Sequence, residues 1–146
     1  DGLVTICDGT EIDLTDVADW FYRLYKDYGI RTFMTGYDQR FYKTFTDRMN
    51  EYGLDTEMIL QGKVLSNAMK LAEAELKARY INFNQNPVDK WCLGNTSASV
   101  DNLMNIMPVK IKYEKRIDGA VTLIGLYEVW RRYKEQLITL NGGTNP

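Results

Sequence analysis

Two aspartates raise the question of chemistry. Asp38 closes the run Gly36-Tyr37-Asp38, and Asp118 lies in Arg116-Ile117-Asp118-Gly119-Ala120-Val121. A carboxylate at the C-terminal end of a strand sits where open α/β sheets place their ligands. The plainer alternative for Asp38 is a cap on the helix that follows, since Asp is a favoured N-cap. Asp118 opens an otherwise apolar helix and has the same alternative. The glycine after it leaves room for a close approach. Lys110, Lys112, Lys115 and Arg116 crowd the eight residues before Asp118. A basic patch beside a carboxylate is the arrangement a phosphodiester substrate needs; a solvated strand face with alternating lysines is the alternative. Two such carboxylates, paired across a fold, would hold one or two Mg²⁺ ions. Those ions lower the pKa of a bound water and stabilise the attacking and leaving oxygens of an in-line phosphoryl displacement. A third carboxylate normally completes the site.

The chain contains no histidine. That removes Ser-His-Asp and Cys-His catalysis and the usual zinc sites. Hydrolysis would have to run on carboxylates, with or without a hard metal. No GxxxxGK[ST] loop occurs, so no ATPase site is expected. Trp91 and Asn95 stand four residues apart around a short helix, and their spacing suits a buried aromatic and a helix-end cap. The aromatic residues recur mostly at helical spacing, which suits a core rather than a base-stacking platform.

The 146 residues suit a single domain, and 45% apolar residues suffice for one sizeable core. No apolar run approaches the roughly 18 residues of a membrane span, and no signal peptide opens the chain. A soluble, cytoplasmic protein is expected. The net charge of −2 means that any nucleic-acid contact must come from a local basic patch. Cys7 and Cys92 are far apart in sequence and read as free buried thiols.

The elements that would position the two aspartates follow from periodicity and punctuation. Gly2 to Cys7 reads as a strand and Asp8-Gly9 as a hairpin turn. Thr15 is the expected N-cap of a helix whose stripe is Val17, Trp20, Phe21, Leu24 and Tyr28, closed by Gly29. A strand over Ile30 to Tyr37 ends at Asp38. The next helix carries Phe41, Phe45, Met49 and Tyr52 and stops at Gly53. A strand over Glu57 to Gln61 precedes a helix marked by Leu65, Met69, Ala72 and Leu76, and Tyr80 to Phe83 reads as a short edge strand. Asn86-Pro87 starts a brief helix ended by Gly94. Ala98 to Tyr113 reads as a hairpin around Asn102 to Asn105, with Pro108 at an edge. The last helix runs from about Asp118 to Leu140, with Ala120 to Leu126 expected to be buried and Asn141 to Pro146 left as a tail. Strands alternating with helices make this an α/β domain with a mixed sheet.

These segments, in this order, resemble the C-terminal part of the terminase large subunit family. The carrying stretches are Ala18-Asp19-Trp20-Phe21 with Tyr28-Gly29-Ile30, Gly36-Tyr37-Asp38, and Gln61-Gly62 with Leu65-Ser66 and Met69-Lys70. Asn86-Pro87-Val88 with Trp91 and Asn95, Lys110, and Arg116-Ile117-Asp118-Gly119 complete the set. The resemblance covers about Leu3 to Leu126. It implies an RNase H-like mixed sheet flanked by helices, with the first strands missing. The activity implied is a Mg²⁺- or Mn²⁺-dependent endonuclease that cuts concatemeric phage DNA. The family site uses three acidic residues: Asp38 matches the second and Asp118 the third. The first lies in an opening strand that this chain does not contain, and Asp1, Asp8 and Asp13 do not fall in its place. The expectation is therefore a partial nuclease domain over residues 1–146, without the family's ATPase domain, with low metal affinity and little or no cleavage of its own. Asp38 and Asp118, 80 positions apart, should approach within about 10 Å to share ions that sit ~4 Å apart. Partners by resemblance are double-stranded DNA, the terminase small subunit and the portal protein, in the bacterial host cytoplasm and not at a membrane. The competing readings are a non-catalytic DNA- or portal-docking module and a generic α/β domain whose two aspartates only cap helices.

The basic patch supplies a first test. Neutralising Lys110, Lys112, Lys115 and Arg116 together should weaken DNA binding about equally across sequences. It should flatten the salt dependence by roughly one unit of slope for each phosphate no longer neutralised. Fluorescence anisotropy over a salt series measures both; an unchanged slope would make the patch a solvated face.

Overall fold

The first helix, α1 (Leu14–Tyr28), begins at a carboxylate. In this computed structural model, which describes residues 4–7, 9–40, 42–140 and 142, Asp13 is its N-cap. The Asp13 side chain accepts the Thr15 backbone N–H at 2.8 Å and the Thr15 hydroxyl at 2.7 Å. Thr15 thus lies inside the helix and donates to the cap rather than being it, its N–H and hydroxyl both meeting Asp13 Oδ1. Gly29 ends the helix at φ 70°, and the N–H groups of Gly29 and Ile30 turn back onto the carbonyls of Tyr25 and Leu24.

The expected strand over Gly2 to Cys7 does not form across residues 4–7, where Val4 and Ile6 are exposed and no neighbouring strand takes up the backbone groups. Residues 1–3 and Asp8 lie outside the described residues, as do Phe41 and most of the expected tail.

The chain divides into two compact units, Asp1–Ile59 with Tyr133–Pro146, and Leu60–Arg132. In the first, α1 packs on α2 (Tyr42–Glu51) around Ala18, Phe45, Met49 and Leu54, with Leu14, Phe21, Tyr37 and Tyr52 against them. The buried edge of α1 therefore runs through Leu14, Ala18 and Phe21. Val17, Trp20 and Tyr28, expected in the stripe, are exposed. The small Ala18 side chain, fully buried, lets the second helix come close, and that contact outweighs the larger side chains at neighbouring positions. A polar clasp reinforces the pair: Asp19 accepts Arg48 Nε at 2.9 Å and the Tyr52 hydroxyl at 2.6 Å, and Tyr52 stacks on Tyr22 with centroids 4.2 Å apart. The Arg48 guanidinium, then the Tyr52 hydroxyl, holds the Asp19 carboxyl below its ordinary range.

Strands β1 (Thr35–Tyr37) and β2 (Thr56–Met58) flank α2 in sequence and pair in parallel, Thr35 with Thr56 and Tyr37 with Met58. Both are shorter than the sequence suggests. Ile30 to Met34 and Ile59 to Gln61 lie outside the ladder, which closes with Thr35 N–H on Asp55 and Ile59 N–H on Tyr37.

The second unit begins with a 3₁₀ turn (Lys63–Leu65) that runs into α3 (Ser66–Lys77). Tyr80 to Phe83 forms no strand. Arg79, Asn84 and Gln85 take left-handed φ values and Asn82 accepts the Asn84 N–H, so local turns claim the backbone. Helix α4 (Pro87–Gly94) starts as expected, with Asn86 accepting the Val88 N–H at 2.9 Å and Pro87 first in the helix. Strands β3 (Thr96–Val100) and β4 (Ile106–Lys110) form an antiparallel hairpin in which Pro108 faces Ala98. Parallel and antiparallel pairing both occur, in two two-stranded sheets.

Asp101 organises the hairpin loop. Its carboxylate accepts the N–H groups of Leu103 and Asn105 and the Asn105 amide, and Lys63 Nζ lies 3.0 Å away. Lys63 foremost, then Asn105, holds the Asp101 carboxyl far below the usual range. The hairpin is tied to α3 by Ser66 Oγ, which accepts the Ile106 N–H, and by Lys70 Nζ on the Met104 carbonyl. The last helix, α5 (Asp118–Leu140), buries Ala120, Ile124, Tyr127, Glu128 and Val129. Leu126, expected inside, is 60% exposed, because burial follows one face of the helix rather than its apolar run.

Two stability tests follow. Met49 is fully buried, so Met49→Ala should cost about 2–5 kcal/mol in urea unfolding. For Asp101 the folded-state pKa is depressed. Its contribution is therefore present above the unfolded value near 3.9 and is lost as pH falls toward the folded one. The melting-temperature gap between wild type and Asp101→Asn should hold steady from neutral pH down to about 5 and shrink below about 4.

Candidate functional site

Asp38 follows the last paired residue of β1, at the C-terminal end of the parallel strands, and is exposed. Its Oδ1 accepts the Arg40 backbone N–H at 3.0 Å. That is a local turn before α2, not a cap on it, since the helix begins at Tyr42. Tyr37 and Tyr42 stack across this turn with centroids 5.3 Å apart. The turn engages one oxygen and orients the carboxylate at the edge where the strands end.

Asp118 is the first residue of α5. The Ile117 carbonyl accepts the Val121 N–H at 3.0 Å, so buried Ile117 holds the cap position and Asp118 is one place further in. The Asp118 side chain is exposed and makes no hydrogen bond or ion pair among the described residues. The cap explanation thus fails for Asp118. The helix dipole still favours its charge, but both carboxylate oxygens remain available to a ligand.

Gly119 meets α4. A Cβ built there would lie 3.2 Å from Asp89 Oδ1, 3.2 Å from Cys92 Cβ and 3.3 Å from Cys92 Sγ. The close approach expected from the glycine is therefore made by the protein itself, and it brings a second carboxylate, Asp89, beside the residue that follows Asp118. Nothing in the sequence marked Asp89: an acid in the first turn of a helix is ordinary.

The basic residues lie on the path from β4 to α5. Lys110 ends β4 and is exposed, and its Nζ stands 5.9 Å from the Tyr113 ring centroid. Lys112 and Arg116 are exposed and Lys115 is half-buried. Lys115 N–H closes a turn on the Lys112 carbonyl at 3.0 Å. Asn95 fixes both ends of the loop: its carbonyl accepts the Ile111 N–H at 2.9 Å and its Nδ2 donates to the Arg116 carbonyl at 3.2 Å. Asn95 also caps α4, as its position suggests. Trp91, expected to be buried, is 49% exposed; on this short helix the inward face belongs to Cys92.

Lys110, Lys112, Lys115, Arg116 and Asp118 share the second unit, and Asp38 belongs to the first. Among the described residues no group of three or more acidic or cysteine side chains is assembled to hold a metal. The donors are nevertheless of the right kind. Carboxylate oxygens suit a hard cation, which one or two carboxylates commonly hold together with water and substrate phosphate oxygens.

The crystal structure of the HK97 bacteriophage large terminase matches 88% of the chain with a TM-score of 0.73 at 21% identity, so the fold is shared. Protein YmfN of Escherichia coli K12 is 37% identical over 62 residues, 41% of this chain. The chain spans only 27% of the HK97 protein and 14% of YmfN. Residues 1–135 match the family described as terminase large subunit, endonuclease domain. That match takes in both aspartates, the stapled basic loop and most of α5, and the chain belongs to this family.

Proposed function

We propose that residues 1–146 form part of the nuclease domain of a phage DNA-packaging terminase, a domain that cleaves concatemeric double-stranded DNA with Mg²⁺ or Mn²⁺, and that the chain by itself cleaves little or not at all. The observation that carries this reading is Asp118, an exposed carboxylate with no partner among the described residues, next to a loop of four cations in a terminase nuclease family member. Asp38 and Asp118 are the two carboxylates proposed to hold metal. Bound there, the ion would activate water and neutralise charge on the phosphate. The chain's own groups do the rest. The Asp38 turn and the α5 N-terminus fix the carboxylates. Lys110, Lys112, Lys115 and Arg116 hold the DNA backbone, and the dipole of α5 favours the charged form of Asp118. No third acidic residue of the family site is proposed among residues 1–146. The terminase small subunit and the portal are the proposed protein partners, in the host cytoplasm. No described helix is long and apolar enough to cross a membrane.

Nicking of supercoiled plasmid tests this, using the chain extended upstream through the family's opening strand. Cleavage should require Mg²⁺ or Mn²⁺. Asp38→Asn and Asp118→Asn should each lower it at least about 100-fold, since even the outer-shell partners of a metal are worth about 10–100-fold. In melting experiments Mn²⁺ should stabilise the wild type more than Asp118→Asn. DNA binding without cleavage in the extended chain would favour a docking module instead.

A further inference from the structure

Tyr113 stands at the tip of the basic loop, five residues before Asp118, and is 93% exposed. A lone exposed tyrosine is ordinary on a protein surface. Its setting here is not. The ring projects from the turn closed by Lys115 N–H on the Lys112 carbonyl. Both ends of that loop are stapled to α4 by Asn95, which is only 8% exposed. The aromatic ring is thus carried on a backbone already ordered before any ligand arrives, so covering it costs little conformational freedom. Lys110 Nζ sits 5.9 Å from its centroid, close enough for a cation–π contact that favours one placement of the ring. Residues 110–116 carry four cations against one carboxylate, Glu114, in a chain whose net charge is −2. A rigid, exposed aromatic among cations is the pattern that holds single-stranded nucleic acid: the cations track phosphates and the ring covers a base.

We propose that Tyr113 is a base-stacking residue. Its ring takes the face of a nucleobase in single-stranded or locally unpaired DNA, while Lys110, Lys112, Lys115 and Arg116 hold phosphates beside it. In an intact duplex both faces of an interior base are already stacked, so the contact selects DNA that is frayed or opened next to the cleavage site. This rests on the nuclease reading for its choice of DNA as the partner. It adds to that reading a positioning residue and a preference for unpaired substrate. The sequence pattern alone favoured core packing for the aromatic residues, and Tyr113 departs from it furthest, at 93% exposed.

Anisotropy of a fluorescein-labelled oligothymidylate, titrated with the full chain in EDTA, tests the proposal without cleavage. Tyr113→Ala should bind at least about tenfold more weakly and Tyr113→Phe about as well as wild type, because stacking needs the ring and not the hydroxyl. Binding of a blunt duplex of the same length should change little. The salt slope should be unchanged in both variants, since neither substitution alters a charge. Circular dichroism checks that each variant is folded. The proposal is overturned if Tyr113→Ala binds oligothymidylate like wild type, or if the wild type does not bind it. It is also overturned if the alanine variant weakens by the same factor on duplex, which would mean that the ring serves only to place Lys110. The nuclease reading fails separately, by absence of metal-dependent nicking, and that result would leave the oligothymidylate measurement standing.

Discussion

The start of α5 packs closely on α4 at Gly119, the residue after Asp118. At 3.2 Å from Asp89 Oδ1 and from Cys92 Cβ, a Cβ at this position would be tighter than most packed contacts, and the Asp89 and Cys92 side chains would have to give by a few tenths of an ångström. This contact seats the first turn of α5, and with it Asp118, beside α4. It seats α4, whose C-terminal Asn95 then reaches both ends of the basic loop. Glycine, contact and staple together turn a run of lysines into a loop with a defined shape.

Charge is distributed with a similar economy. The chain is slightly acidic overall, yet cations concentrate in one loop, so a field attractive to phosphate is local rather than global. Several carboxylates elsewhere are committed to cations or hydroxyls. Glu128 is 3% exposed; burial pushes its carboxyl up, but Arg131 and Arg132 outweigh this and bring it below its ordinary range. Asp19 is held by Arg48 and Tyr52, and Asp101 by Lys63 and the hairpin loop. Asp118, like several other exposed carboxylates, has no side-chain partner among the described residues; what sets it apart is the basic loop that runs directly into it. An open carboxylate at the end of a basic loop suits a group whose partner is a ligand.

Tyr127 shows how far the structure goes to satisfy a buried polar group. Burial and the hydrogen bond to Glu75 push its hydroxyl up to about 12, so at neutral pH it is a committed donor. It ties α5 to α3 within the second unit, and with the Ser66 and Lys70 bonds it anchors the frame on which the basic loop is built.

The sequence by itself determined the features that local chemistry decides. Gly29 and Gly53 end helices because the chain needs positive φ there, and Asn86-Pro87 starts one because an amide cap and a missing N–H suit a first turn. The hairpin and the span of α5 were legible for the same reason. The order of short motifs carried the family, since each motif is a local requirement of a shared fold. Tertiary structure alone decided what depends on partners distant in sequence. Strand lengths were overestimated because a strand lasts only as long as its neighbour, and β1 has three paired positions. Trp20, Trp91 and Leu126 look like core residues but are exposed, because burial depends on which helix face meets another element. The cap at Asp13, the place of Asp89 and the presentation of Tyr113 arise from contacts that no spacing encodes. A helical period fixes which residues share a face; only packing fixes which face is covered.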